Sequence, residues 1–226
     1  MRDTKAEKNS LYKREFFALK RHILRAFSRQ KGTIMRYFVL DTETTGIGET
    51  AEAWEIAIIA CDEDGTELDT FRGTCKPQTA WEEKAREMSG LTDEELDSFQ
   101  SPDKLLNQVT AFIKANAEPN RWDNTIVCHN VAYDMPLLAR MYDKYNVESF
   151  RQYVGYSDIC TMQALRMLKA AGRWDNKSCA LQVIHEMLGT SEDAHTALAD
   201  VKATAELFFS IKRCFNEKLD VMRSVC

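Results

Sequence analysis

The stretch of sequence that decides the fold is residues 37–46, which read YFVLDTETTG. Four apolar residues with aromatic and β-branched members predict a buried strand over 37–40, and Gly46 indicates a turn soon after it. Asp41 and Glu43 stand where we expect this strand to end, which is where open α/β sheets bind their ligands. Because alternate residues of a strand share a face, the two carboxylates converge and repel each other unless a proton or a cation lies between them. An ordinary polar strand end is the competing interpretation.

The length and composition of the chain indicate one globular domain with an appendage. Its 226 residues are enough to bury a core without a disulfide or a structural metal. The seven cysteines are scattered and form no C-x-x-C pair, which is typical of reduced thiols. No apolar run approaches membrane-spanning length, and the N-terminus lacks the apolar segment of a secretory signal. We therefore predict no membrane association and a cytoplasmic location.

Charge is distributed unevenly along the chain. Residues 1–36 hold eleven of the 30 Lys and Arg residues and three of the 35 acidic ones, which leaves 19 basic against 32 acidic residues in the remainder. An amphipathic helix is predicted over 9–28, with an apolar stripe formed by Phe16, Leu19, Ile23 and Phe27. A basic arm ahead of an acidic body favours contact with a polyanion, and a solubilising or partner-docking helix is the alternative. We divide the chain into a basic arm (1–35), a domain (36–216) and a tail (217–226).

The order of predicted elements indicates an α/β fold whose sheet starts antiparallel and continues parallel. Three strands follow one another, with an Asp-Gly turn between the second and the third. Short apolar runs then alternate with helices, which is typical of parallel strands. A capping box is predicted at 92–95, a helix cap at Ser178 and a helix stop at Gly189. We predict strands over 37–40, 54–60, 68–75, 125–128 and 158–160, and helices over 102–117, 135–145, 162–171, 181–188 and 196–215.

Three further polar residues fall at element ends that face the same crevice. Asp134 follows the predicted fourth strand, and Asp200 lies one turn into the last helix. His195 precedes Asp200 by five residues, about 500° on an ideal helix, so the two share a site only if His195 lies in the loop before that helix. A lone Asp or His has an ordinary structural explanation, which we assign to His22 and His185 because neither has an acidic partner in reach. Together, four carboxylates and one histidine fall at strand ends or helix starts that face the crevice of one sheet, and this combination favours a functional site.

These residues belong to three motifs that resemble those of the DEDDh 3′→5′ exonucleases, the family of the polymerase III epsilon subunit, ribonuclease T and exodeoxyribonuclease X. The motifs read DTETTG at 41–46, HNVAYD at 129–134 and HTALAD at 195–200. The resemblance spans about residues 36–211. It implies an α/β, ribonuclease H-like fold with a mixed five-stranded sheet flanked by helices. It also implies hydrolysis at the 3′ ends of nucleic acids, with release of nucleoside 5′-monophosphates.

The resemblance further implies a role for each acid. Asp41, Glu43 and Asp200 would bind one divalent ion, Asp41 would bridge to a second, and Asp134 would complete the acidic set. Carboxylate oxygens suit Mg²⁺ or Mn²⁺, and two such ions activate the attacking water and stabilise the leaving 3′ oxygen. His195 would be the general base that takes the proton of this water.

Contacts with the substrate are implied around the first two motifs. Thr44 and Ile47 would line the terminal nucleotide, with Ile47 wedged against a base, while Asn130 and Tyr133 would support the scissile region. Ser89 stands where many relatives carry a histidine, and it offers neither the stacking surface nor the charge of that residue. The implied substrate is single-stranded or frayed DNA. RNA is the alternative, since these residues do not say how the pocket treats a 2′-hydroxyl.

Two other classes of protein account for fewer of these residues. Phosphatases of the haloacid dehalogenase type also carry an Asp-x-acid pair after their first strand, but the second acid is normally Asp, and they lack an element like His195 with Asp200. A catalytically silent nucleic-acid-binding or clamp-associated module would not need the full set of four acids and His195. The nuclease is therefore the leading hypothesis.

Overall fold

The computed structural model describes residues 34–176, 178–190 and 196–224, with side chains up to residue 217. Its strands form one sheet in the order β3-β2-β1-β4-β5. The first three strands pair antiparallel, whereas β4 pairs parallel with β1 and with β5. The predicted mixed five-stranded sheet is confirmed. The strands are β1 (Arg36–Thr44), β2 (Ala53–Cys61), β3 (Glu67–Thr74), β4 (Asn124–Cys128) and β5 (Ile159–Cys160).

Helices flank this sheet, and two short 3-10 turns lie at Arg121–Asp123 and Phe150–Gln152. In the described part of the chain the α-helices are α1 (Glu83–Ser89), α2 (Asp93–Ser98), α3 (Pro102–Asn116), α4 (Val131–Lys144), α5 (Thr161–Ala170), α6 (Leu181–Leu188) and α7 (Ala197–Ser224).

The alternation of side chains along β1 gives the sheet two apolar faces. Phe38 and Leu40 point to the face covered by α3 and α4. Tyr37 and Val39 point to the opposite face, where they pack with Phe208 and other residues of α7. Full burial of a side chain of this size contributes about 1.5–3 kcal/mol. Because α7 covers the odd-numbered residues of β1, it also lies over the face from which Asp41 and Glu43 project.

Some helix boundaries differ from the prediction. α4 begins at Val131 instead of 135, so Pro136 lies inside the helix and not in its first turn. α7 continues to Ser224, beyond the predicted end at 215 and through most of the predicted tail. The assignment of Ser178 as a helix cap was wrong, because Ala180 is the cap residue of α6 and Ser178 Oγ accepts a hydrogen bond from the Ala180 amide.

Two predicted helix ends are confirmed. Thr92 and Glu95 form the reciprocal hydrogen bonds of a capping box at the start of α2. Gly189 ends α6 in the left-handed conformation, with φ of 71°, which costs glycine little because it has no Cβ.

From Ile34 onward, the described residues form one structural unit. The predicted basic arm, including the helix over 9–28, lies outside the described residues except for Ile34 and Met35, so its role stays a prediction. In the portion that is described, no helix combines the length and the apolar character needed to span a membrane.

Candidate active site

The crevice beside β1 arises because its two neighbouring strands pair with it over different lengths. The ladder with β2 continues through Glu43↔Glu55. The ladder with β4 stops at Val39↔Val127, where β4 is about to end and turn into α4. The last residues of β1 therefore have no strand on that side, and Asp41 lies at this opening. The prediction placed both acids at the end of a strand over 37–40. In the structure both lie within β1, because the ladder with β2 extends this strand to Thr44.

Asp200 reaches the same crevice from the first turn of α7. The apolar side chains of Ala197 and Val201 are buried against the sheet and hold the start of this helix there. One carboxylate oxygen from each of Asp41, Glu43 and Asp200 lies within 4.8 Å of the others. Oxygen donors at this spacing fit a divalent cation such as Mg²⁺ or Mn²⁺.

Burial and the neighbouring acids raise the pKa of Asp41 and of Glu43. Burial raises the pKa of Asp41 well above its usual range, and the charges of Asp134, Asp200 and Glu43 raise it further. Burial, followed by the charge of Asp200, raises the pKa of Glu43 to about 7. Carboxyl groups in such a cluster hold protons near neutral pH unless a cation takes the place of the protons.

Asp134 projects from the first turn of α4 and is buried. It lies outside the group of three acids whose oxygens approach within ligand spacing, and its Oδ1 accepts a hydrogen bond of 2.8 Å from Thr42 Oγ1. Burial raises its pKa against the opposing effect of that hydrogen bond. Its charge nevertheless acts on both Asp41 and Glu43, so the structure brings Asp134 to the edge of the cluster.

The predicted substrate residues lie at one end of the crevice. The Tyr133 hydroxyl donates to the Gly46 carbonyl oxygen at 2.5 Å and lies 2.8 Å from Thr44 Oγ1. Ile47 follows on the same loop and is 84% exposed, so its side chain is free to contact a ligand. Asn130 is the exposed cap residue of α4, and its side chain makes no capping hydrogen bond.

Glu82, which the sequence did not single out, fixes the loop that carries Ile47. Its Oε1 accepts hydrogen bonds from the backbone amides of Ile47 and Gly48 at 2.9 and 3.1 Å. Ser89, where relatives often have histidine, closes the end of α1 by donating to the carbonyl oxygen of Arg86 at 2.8 Å.

The predicted general base, His195, lies outside the described residues. The prediction that His185 has no acidic partner in reach was wrong. His185 is buried in α6, and its Nε2 lies 2.8 Å from Asp200 Oδ1 while its Nδ1 lies 2.9 Å from Thr190 Oγ1. The helical pattern around His185 gave no signal for this pair, since Asp200 comes from the next helix.

The sheet order is that of a ribonuclease H-like fold, with a carboxylate cluster beside its central strand. The chain belongs to the exonuclease family: the RNase T family model, described as Exonuclease, matches residues 38–208. This match covers all three motifs and confirms the resemblance to the DEDDh 3′→5′ exonucleases.

Among curated proteins, the chain is similar to the PolC-type DNA polymerase III of two bacteria. It is 27% identical to that of Clostridium perfringens over 188 residues, which are 82% of this chain and 12% of the polymerase. It is 27% identical to that of Thermotoga maritima over 175 residues, 76% of this chain and 11% of the polymerase. The chain thus spans about an eighth of the length of these relatives.

Among solved structures, the fold is similar to that of Escherichia coli exonuclease I. The zinc-bound complex of that enzyme with single-stranded DNA has a TM-score of 0.69 at 17% identity and covers 84% of this chain and 43% of its own. The complex with a dT13 oligonucleotide has a TM-score of 0.68 at 18% identity, with 81% and 43% covered. At this identity the likeness concerns the fold.

Proposed function

We propose that this protein is a metal-dependent 3′→5′ exonuclease that removes nucleoside 5′-monophosphates from single-stranded or frayed DNA ends. The observation that carries the proposal is the cluster of Asp41, Glu43 and Asp200, with oxygens within 4.8 Å of one another. The three acids are half-buried, and the chain belongs to an exonuclease family.

The residues of the cluster suit two ions of Mg²⁺ or Mn²⁺. Asp41, Glu43 and Asp200 would hold one ion, and Asp41 with Asp134 would hold the other. When bound, the ions lower the pKa of water and neutralise charge on the scissile phosphate. Burial and then the charges of the neighbouring acids raise the pKa of Asp41 and Glu43, and this supports the assignment because a cation relieves the repulsion between the acids.

Other residues in or next to the three motifs contact the substrate or take up a proton. His195 takes the proton of the attacking water, since imidazole titrates near neutral pH. Thr44 and Ile47 line the terminal nucleotide, and the exposure of Ile47 supports a wedge against a base. Tyr133 and Asn130 support the nucleic-acid backbone near the scissile bond.

DNA is the preferred substrate in this proposal because the named relatives are DNA polymerases and the named solved structures contain DNA oligonucleotides. The basic arm adds attraction to the DNA backbone or docks on a replication or repair protein. Trimming of RNA ends is the alternative that the same site chemistry allows.

The test is hydrolysis by the full chain in Mg²⁺, with and without chelator. The substrates are 5′-labelled single-stranded DNA, duplex DNA and RNA. We expect stepwise shortening of single-stranded DNA from its 3′ end, and no shortening in chelator. Faster shortening of RNA would favour the alternative, and binding without shortening of any strand would favour a silent module.

A pair of variants assigns the activity to the cluster. Asp41→Asn should abolish hydrolysis because it removes a shared cation ligand. Asp64→Asn changes an exposed acid of the β2–β3 turn and should leave hydrolysis intact. Equal activity in the two variants would refute the assignment.

A further inference from the structure

A fifth carboxylate, Glu55, lies next to the acid cluster and has no role in the mechanism above. It sits on β2 directly opposite Glu43 in the antiparallel register. Residues paired in this way have Cβ atoms about 5 Å apart and project from the same face of the sheet. Glu55 is 1% exposed, so its carboxylate is buried beneath the crevice.

Among the described residues, only one of the two oxygens of Glu55 has a partner. Arg72 Nε, from β3, donates to Glu55 Oε1. Glu55 Oε2 is buried and makes no hydrogen bond to any described residue. Burying a carboxylate oxygen without a hydrogen-bond donor costs free energy of folding. Because this oxygen lies beside a cation site, we expect its donor to arrive together with the cation.

The nearby acid Glu52 shows what a purely structural carboxylate looks like in this fold. It is 2% exposed, and both of its oxygens are occupied. Oε1 accepts hydrogen bonds from Lys144 Nζ and from the Tyr145 hydroxyl, and Oε2 accepts one from the Gln78 amide. Among the described residues, both carboxylate oxygens of Glu52 therefore have hydrogen-bond partners, whereas only Oε1 of Glu55 has one.

Oε2 of Glu55 lies near the cation site but outside the group of oxygens that could bind the cation directly. Within the described residues, the oxygens that approach to ligand spacing are those of Asp41, Glu43 and Asp200, and Glu55 is not among them. The charge of Glu55 is nevertheless felt by both Asp41 and Glu43, whose pKa values it raises. Glu55 is thus close enough to act on the site and too far to be a ligand with this group.

We propose that Glu55 is a positioning residue for the cation site, with Oε2 accepting a hydrogen bond from a water ligand of the cation and Arg72 fixing the carboxylate in that orientation. The proposal rests on the proposed function in one respect, namely that Asp41, Glu43 and Asp200 hold a cation. Mg²⁺ and Mn²⁺ keep several waters when protein carboxylates bind them, and acceptors that orient such ligands are commonly worth 10–100-fold in metal affinity.

The test measures cation affinity without nucleic acid, so it does not depend on hydrolysis. The full chain is stripped of metal and titrated with Mn²⁺, and the free ion is followed by electron paramagnetic resonance. Glu55→Gln keeps the size of the side chain and replaces one oxygen by an amide donor. We expect its Mn²⁺ dissociation constant to rise about 10–100-fold. The matched control is Glu52→Gln, a buried acid replaced in the same way, and its affinity should equal that of the wild type.

Glu55→Asp separates position from charge. It keeps the carboxylate but withdraws it by one methylene, so we expect about tenfold weaker binding. This variant also keeps the proposal testable if Glu55→Gln does not fold, which thermal unfolding in chelator would reveal. Wild-type affinity in either folded Glu55 variant, an equal loss in Glu52→Gln, or absence of Mn²⁺ binding by the wild type would overturn the proposal. A nuclease assay that fails while Glu55→Gln weakens Mn²⁺ binding would refute the proposed function and leave this inference standing.

Discussion

Replacing Glu43 by Gln is expected to stabilise the metal-free protein above neutral pH while it disables the cation site. Burial, with Asp200 and Glu55, raises the pKa of Glu43 from 4.5 to about 7. The folded state therefore disfavours the ionised form, and the wild-type protein loses stability as the pH rises between these two values. Gln has the same shape and no charge, so the variant escapes this loss.

The size of the effect follows from the two pKa values. The interval from 4.5 to about 7 corresponds to about 3 kcal/mol, at 1.36 kcal/mol for each pH unit. Below pH 4.5 Glu43 is protonated in both the folded and the unfolded chain, so the penalty is absent there. At pH 5 the penalty is about 1 kcal/mol, and above pH 7 it is present in full.

The assay is urea unfolding in chelator at pH 5 and pH 8. The free energy of unfolding of Glu43→Gln should exceed that of the wild type by about 1 kcal/mol at pH 5 and about 3 kcal/mol at pH 8. An advantage that does not grow with pH, or a variant less stable than the wild type at pH 8, would refute the reasoning.

Glu52→Gln is the control with the opposite sign. Burial alone would raise the pKa of Glu52, but hydrogen bonds from Lys144 and Tyr145 lower it. Its ionised form therefore stabilises the fold above pH 4.5, and this contribution is lost as the pH falls through the lowered pKa. The control variant should be less stable than the wild type at pH 8, with a smaller deficit at lower pH.

Adding Mg²⁺ is expected to cancel most of the stability advantage that Glu43→Gln has over the wild type in chelator at pH 8. At a free concentration 100-fold above the dissociation constant, a bound ion stabilises the folded state by about 2.7 kcal/mol. This gain belongs to the wild type, because Glu43→Gln has lost a ligand of the ion. Equal stabilisation of both proteins by Mg²⁺ would mean that the ion binds elsewhere.

Three further predictions concern the general base His195, the basic arm and His185. His195→Ala should lower turnover about 10²–10⁴-fold in single-turnover hydrolysis, and an unchanged rate would remove His195 from the role of base. Deletion of residues 1–34 should weaken DNA affinity and flatten its dependence on salt; an unchanged salt slope would favour docking on a protein. His185→Asn should weaken Mn²⁺ binding about 10–100-fold in calorimetric titration, because it removes the hydrogen bond that orients Asp200, and wild-type affinity would make that bond purely structural.

Local patterns were enough to predict the sheet and three members of its acid cluster. Runs of apolar residues with aromatic and β-branched members predicted β1 and β2, and the i, i+2 spacing of Asp41 and Glu43 placed both on one face. Asp200 was assigned because it lies one turn into the last predicted helix, at an element end that faces the crevice. These are properties of single elements, and so the sequence displays them directly.

The features that the sequence did not predict depend on pairings between elements. The register that places Glu55 opposite Glu43 is set across the connection between β1 and β2, with an irregularity between Glu43 and Thr44. A register cannot be counted across such a connection. The contact of His185 with Asp200 depends in the same way on how α6 meets α7. Each contact is set by tertiary packing.

The same register explains how an acidic domain could act on a polyanion. Residues 37–226 carry 32 acidic residues against 19 basic ones, so this part of the chain repels a polyanion except where a cation is held. Pairing Glu43 with Glu55, and packing Asp200 above them, concentrates charge that the fold alone does not neutralise. That concentration weakens the metal-free fold and strengthens the attraction for a divalent ion. Stability and affinity for the ion are therefore set by the same side chains, and a substitution that relieves the repulsion, such as Glu43→Gln, must weaken the site as it strengthens the fold.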